Sequence, residues 1–414
     1  MNSRVTMDKL EGYARQLSDA AQALTAYSRL LHGPFLSTKA PTEIQQARRL
    51  ILSNLTQIQI LLSEPEAFLQ QLATQNQYLA CIHWLGEFQV LACIPLSHSV
   101  PFEDVAELAG IPESHLRRVV RMIATTGFLQ EPEPGHVAHS ALSAHFVTRP
   151  SYLDAAMFLA ETAAPAALQM PATSRDPASA SLLMTTASGQ QPRVQRQWSA
   201  YLQYGLGHTD GNALEPLDQF DWAGLGGATV VTSGTRAVPA IRSLAERYPT
   251  LLRLIVQTDG DLGPDGICPR ITPQSRTPGT LQNVPDADVY VIGLPSPSPA
   301  LPVSAILDQM ACELRAHLPV ARAARRPAIL MLAPRLLCDQ GSSTESTGQL
   351  VARLHDLSLL QLANERAMEM AELIQIVNSI GDGTGRLGVV RRMGTPHTAG
   401  VLLEVRYHAY GSDR

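Results

Sequence analysis

The sequence predicts an α/β protein in which an N-terminal helical and winged-helix domain precedes a Rossmann-like domain. Three stretches predict it. Residues 228–249 and 252–257 read as buried strand, sharp turn, amphipathic helix and second buried strand, the opening βαβ unit of a nucleotide-type domain. Further on, apolar runs at 289–292 and 328–333 alternate with helical periodicity, the pattern of a mostly parallel sheet. Ahead of these, residues 102–139 read as helix, turn, helix, strand, loop tip and strand, which is a winged-helix module.

Taken in order, Leu10, Tyr13, Leu17, Ala20, Ala21 and Leu24 recur at helical spacing and predict one helix over residues 1–31, ended by Gly33-Pro34. Thr42 is placed to cap a second helix running to Leu62, with a stripe of Ile44, Ala47, Ile51, Leu55 and Ile58. A third starts at Glu64-Pro65, where proline fits the first turn, and runs toward Trp84. With no strands nearby, these helices must bury their stripes on one another or on a second chain. In the winged-helix stretch, Gly110 closes the first helix as a C-cap. The second carries His115, Arg117, Arg118 and Arg121 among the apolar residues Leu116, Val119, Val120 and Ile123, and the loop tip is acidic through Glu131 and Glu133.

Helical signal resumes at 152–169 and 194–207, separated by a Ser/Ala/Thr/Gln/Pro-rich run that reads as a loop. After the βαβ unit, residues 258–285 are Gly/Pro-rich, with at most one short strand. The Pro295–Pro299 stretch is a rigid loop. Helices follow at 303–318, 350–363 and 371–380, and a closing strand pair at 388–393 and 401–407. This divides the chain into a 1–170 helical and winged-helix domain, a 171–193 loop and a 194–414 α/β domain.

Composition narrows the function classes. A 45% apolar share over 414 residues supports a full core, and a net charge of -5 argues against strong non-specific nucleic-acid affinity. Five cysteines, odd in number and never spaced as CxxC, form neither a disulfide framework nor a zinc module and point to a reducing compartment. The N-terminal stretch lacks the apolar core of a secretory signal, and no apolar run approaches the length of a membrane span. Gly381-Asp-Gly-Thr-Gly385 follows a helix and precedes a strand, the reverse of a phosphate loop, and reads as a surface turn. The acidic trio Asp259, Asp261 and Asp265 lacks the spacing of a calcium loop.

The segments 102–128 and 288–292 resemble plant and fungal class-I O-methyltransferases, whose layout over residues 64–410 is the same. Tyr78–Leu96, Val100–Ala106 and Glu131–Ser140 are more closely similar to the aflatoxin-cluster transcriptional co-activator of filamentous fungi and its relatives in anthraquinone clusters. That resemblance implies a methyltransferase-like protein acting with a cluster-specific zinc-cluster transcription factor.

A working S-adenosylmethionine (SAM) pocket of this layout ends its first strand on an acid and continues with alternating glycines, which let the backbone turn and approach the cofactor closely. Here the acid position is Thr232, Gly234 remains, and Arg236 and Val238 replace the next glycines, with Pro239 following. Where a carboxylate would hold ribose hydroxyls the chain has Gln257-Thr258, and Asp259 lies one residue further on. The His-Asp pair expected after the Asp288 strand is replaced by Pro295-Ser-Pro-Ser-Pro299, leaving His317 and His355 as helical histidines of structural type.

The expectation is therefore a non-enzymatic, nuclear co-activator of a polyketide-type gene cluster, with no catalytic, cofactor-binding or metal residues and no cofactor. It would reach DNA only through the zinc-cluster factor and would not associate with membranes, while a homodimer stays open. The alternatives are an enzyme on a methyltransferase-like fold, either an atypical O-methyltransferase or a SAM-independent pericyclase-like catalyst, and direct DNA reading by Arg117, Arg118 and Arg121.

Overall fold

The computed structural model describes residues 3–31, 42–176, 191–206, 214–234, 237–259, 269–298, 301–323, 328–334, 336–337, 347–394 and 400–410. The chain divides into two compact units, Met1–Cys81 with Ser343–Thr347, and Ile82–Ser342 with Gly348–Arg414.

In the first unit α1 (Ser3–Leu31) packs on α2 (Thr42–Leu62), as the helical spacing predicts. Ala20 of α1 and Ile44 of α2 are buried, but the stripe expected to close over Leu55 stays open. Leu52, Leu55, Ile60 and Leu62 are all exposed. Next, α3 (Pro65–Glu87) begins on its proline, whose missing N–H would have had no helical partner there.

The second unit contains α4 (Val90–Cys93), β1 (Val100–Pro101), α5 (Phe102–Ala109), α6 (Glu113–Ala124) and the hairpin β2 (Leu129–Gln130) and β3 (His136–His139). The three strands form a small sheet in the order β1-β3-β2. Gly110 takes φ 67° to end α5, a conformation a side chain would oppose. From α6, Leu116, Val120 and Ile123 are buried, while Val119 is only half-buried.

A helix over Ala141–Thr148, not expected from the sequence, precedes the helix at Pro150–Phe158. It starts because Ser140 accepts hydrogen bonds from the Leu142 and Ser143 N–H groups, in a capping box completed by a serine rather than the usual glutamate. The loop expected at 171–193 lies largely outside the described residues.

The main sheet has eight strands in the order β6-β5-β4-β7-β8-β11-β10-β9. Five are parallel: β4 (Thr229–Gly234), β5 (Arg253–Thr258), β6 (Ile271–Ser275), β7 (Val289–Gly293) and β8 (Ala328–Pro334). β9 (Gly381–Asp382) and β10 (Gly385–Met393) lie at one edge, and β11 (Gly400–Ala409) inserts antiparallel between β8 and β10. Parallel strands covered on both faces need continuous apolar runs, and successive residues indeed enter opposite cores. Val231, Ile255, Tyr290 and Ile329 pack under the helices Val303–Ala321 and Met370–Ser379. Val230, Leu254, Val289 and Leu330 pack under the helix Ala237–Arg247 together with Trp222, which is fully buried and donates its indole N–H to the Leu217 carbonyl.

From β4 the chain crosses over to β5, and from β7 it crosses in the opposite direction to β8. Crossovers of one hand running in opposite directions put their helices on opposite faces, as observed. Between β4 and β7 the order reverses, and at such a point a crevice opens beyond the carboxyl ends of the strands.

Candidate functional site

A cleft of about 350 Å³ occupies that crevice. β4 contributes Ser233 and Gly234 to it, and β7 contributes Ile292 and Gly293, continuing into Leu294 and Pro295. Gln257, Thr258 and Asp259 line it from the end of β5, and Ile306, Gln309, Met310 and Glu313 from the helix behind.

The loop after β4 shows what each sequence-derived position does. Thr232, at the acid position, is fully buried and donates its hydroxyl to the Ala237 carbonyl at 3.2 Å, stitching the strand end to the following helix. Gly234 has φ 78°, and a Cβ there would lie 2.4 Å from the Gly293 carbonyl oxygen. The approach of β4 to β7 is thus by itself a reason for this glycine. Arg236 lies outside the described residues. Val238 sits inside the helix, half-buried against the core, so its branched side chain meets no φ > 0 requirement. Asp259, one residue beyond β5, is exposed at the cleft rim.

Behind the cleft lies a buried polar network. Arg276 and Glu313 form a bidentate pair at 2.5 and 3.2 Å with side chains 2% and 10% exposed. The Glu313 carboxylate also accepts the Gly279 N–H at 2.6 Å and the Ser233 hydroxyl at 3.4 Å. Burial alone would raise the Glu313 pKa, but the Arg276 hydrogen bonds, the neighbouring His317 and the Gly279 N–H outweigh it and hold the group below the usual carboxylate range. His317 is fully buried; its Nδ1–H donates to the Glu313 carbonyl at 2.8 Å and its Nε2 accepts from the Gln282 amide at 2.9 Å. Burial first of all pushes its pKa down, so the neutral ring fits both bonds. Gln257, the residue at the ribose-acid position, exchanges amide hydrogen bonds with Gln282 at 2.8 and 3.1 Å and donates to Asn283 at 2.8 Å. Its polar groups are committed inward. His355, the other candidate histidine, is also buried in its helix.

The helix α6 is matched differently. Arg121 makes two bonds to Glu131, at 2.8 and 2.9 Å, and Arg117 pairs with Glu113 while lying 5.7 Å over the Phe102 ring. Two of the three arginines needed for a DNA-reading face are thus held by carboxylates of the same module.

The described residues include one trio in metal-ligand reach, His83, Glu87 and Glu161, with ligand atoms within 4.8 Å of one another. Arg193 already pairs with Glu161 at 3.2 Å, so an ion would have to displace it. No described helix is long and apolar enough to cross a membrane.

Residues 7–63 match the family described as the trypacidin cluster transcriptional coactivator tpcD N-terminal domain. The chain is 40% identical to the monodictyphenone cluster transcriptional coactivator mdpA of Emericella nidulans, over 98% of this chain and 99% of that one. It is 37% identical to the aflatoxin cluster transcriptional coactivator aflS of Aspergillus parasiticus, over 99% of both. The chain belongs to this family of cluster transcriptional coactivators. Among solved structures, LepI in complex with SAM superposes with a TM-score of 0.60 at 14% identity, covering 95% of this chain and all of that one. The mitomycin 7-O-methyltransferase MmcR does so at 0.54 and 17%, covering 83% and 98%. The chain therefore has an O-methyltransferase-like fold, as its sequence predicts.

Sequence reasoning missed Arg276, Gln282 and Glu313. The one available signal was Glu313 and His317, four residues apart on the face of a helix that also buries Met310 and Leu314.

Proposed function

We propose that this chain is a non-enzymatic transcriptional coactivator of a fungal polyketide-type gene cluster, acting in the nucleus with a zinc-cluster transcription factor. The observation that carries the proposal is the near end-to-end match, at 37–40% identity, to named cluster coactivators. The geometry supports it: at the strand ends Gln257, Gln282, Arg276, Glu313 and His317 form one buried network, and the His317 ring beside the Glu313 carboxylate is fully enclosed, out of reach of a substrate in the cleft. In this reading residues 194–414 serve as a scaffold, residues 1–170 serve interaction, and 171–193 link them. DNA is reached through the partner. The exposed apolar side chains of α2 fit an interaction role, and a homodimer formed through them would be lost on Ile60→Glu, read by sedimentation.

Co-precipitation from nuclear extract tests the proposal. Recovery of a zinc-cluster activator, with cluster transcripts falling on deletion of the gene, is the expected result. Failure of both would end it.

One observation favours a second reading, an enzyme on this fold: the cleft is open and carries Asp259 at its rim. Calorimetric titration with SAM separates the methyltransferase form of that reading, since heat at micromolar SAM is expected only if the strand-end residues still accept the cofactor.

A further inference from the structure

We propose that the cleft beyond β4 and β7 is a binding site for a neutral, hydroxylated aromatic molecule. The inference stands on the cleft and does not depend on the coactivator reading.

Size comes first. About 350 Å³ lies within the range of pockets that enclose drug-sized ligands. The charges at the floor come next. Glu313 is satisfied by Arg276, Gly279 and Ser233, and Arg276 also donates to the Thr280 carbonyl, so the two charges are spent on each other and only the buried Arg276 Nε–H lacks a partner among the described residues. A charged guest would be taken out of water against a floor already neutral, which disfavours it.

The walls supply the positive selection. Pro278 and Pro295 are rigid and apolar, and the nearly buried Leu294, Ile306 and Met310 back them, so the wall is a firm apolar surface against which a flat ring can lie. Two exposed polar groups border this surface with no hydrogen-bond partner among the described residues: the Gln309 amide on its helix and the Asp259 carboxylate at the rim. An amide can meet a ligand carbonyl or hydroxyl, and a carboxylate accepts a hydroxyl proton. Apolar walls with a few convergent polar groups are the build of a small-molecule site.

The test uses the purified full chain and quinizarin, a dihydroxyanthraquinone, with SAM as the competing probe. Saturable quenching with a micromolar Kd is expected, unaffected by excess SAM. Gln309→Trp, which adds bulk at an exposed position beside the mouth, should weaken binding at least tenfold with unchanged thermal unfolding. Asp259→Asn should weaken it several-fold. The proposal is overturned by non-saturable binding, by equal affinity in Gln309→Trp (the dye then stacks elsewhere), or by SAM binding that displaces the dye, which would assign the cleft to a nucleoside-type ligand.

Discussion

Two regions of this protein look like working parts, the crevice beyond the parallel strands and the helix α6 with its hairpin, and in both, arginines are matched by carboxylates of the same region. They differ in where the matching is done. At the crevice the Arg276–Glu313 pair is buried, whereas on α6 the pairs of Arg117 and Arg121 are largely exposed. A buried pair stays fixed, because removing one partner strands a charge in the interior. An exposed pair contributes little and exchanges readily with solvent ions or another molecule. The crevice floor is therefore built permanently into the fold, and the basic helix is only held in check.

The largest expected effect breaks the buried half. Glu313→Ala should cost about 3–5 kcal/mol in denaturant unfolding, while Arg276→Met combined with Glu313→Leu should restore most of the loss. A loss below about 1 kcal/mol, the range of an exposed pair, would make the two regions alike after all. A middle-sized effect concerns the strand ends. Gly234→Ala should cost about 1–3 kcal/mol for the left-handed backbone alone, with the Gly293 carbonyl contact adding to it, and circular dichroism melts would register the change.

The smallest stability effect belongs to α6. Glu131→Gln should cost under about 1 kcal/mol. The Arg121 hydrogen bond, with the Gly135 N–H, holds the Glu131 pKa at about 2 against an ordinary value of 4.5. A depressed carboxylate contributes its stabilisation above the unfolded pKa and loses it as pH falls, so the gap between wild type and Glu131→Gln should close between pH 4.5 and about 2. The same carboxylates mask the helix. The wild-type chain should give no mobility shift with DNA, and replacing Glu113 and Glu131 together by glutamine should give a weak, salt-sensitive one.

Legibility in the sequence divides along the same line. The helix Thr42–Leu62, the βαβ unit and the closing strand pair were readable because periodic burial repeats over many residues and survives single exceptions. Arg276 and Gln282 were not, since they fall in a Gly/Pro-rich passage with no period, and their partners Glu313 and Gln257 are 37 and 25 residues away. Only the strand order brings them together. Gly234 was readable as a surviving glycine, but its contact with Gly293 was not, because β4 and β7 become neighbours only where the chain reverses direction across the sheet. On α6 the arginines and the acidic loop tip are visible in the sequence, yet the register that lays Glu131 on Arg121 depends on the hairpin's turn.

The insertion of β11 between β8 and β10 has a consequence for biogenesis. Until residue 409 has been synthesised, β8 exposes an unpaired edge along residues 329–334 and β10 has no long neighbour. The sheet can close only late in translation, and a message truncated before codon 400 would yield a chain with a sticky open edge that cellular quality control removes.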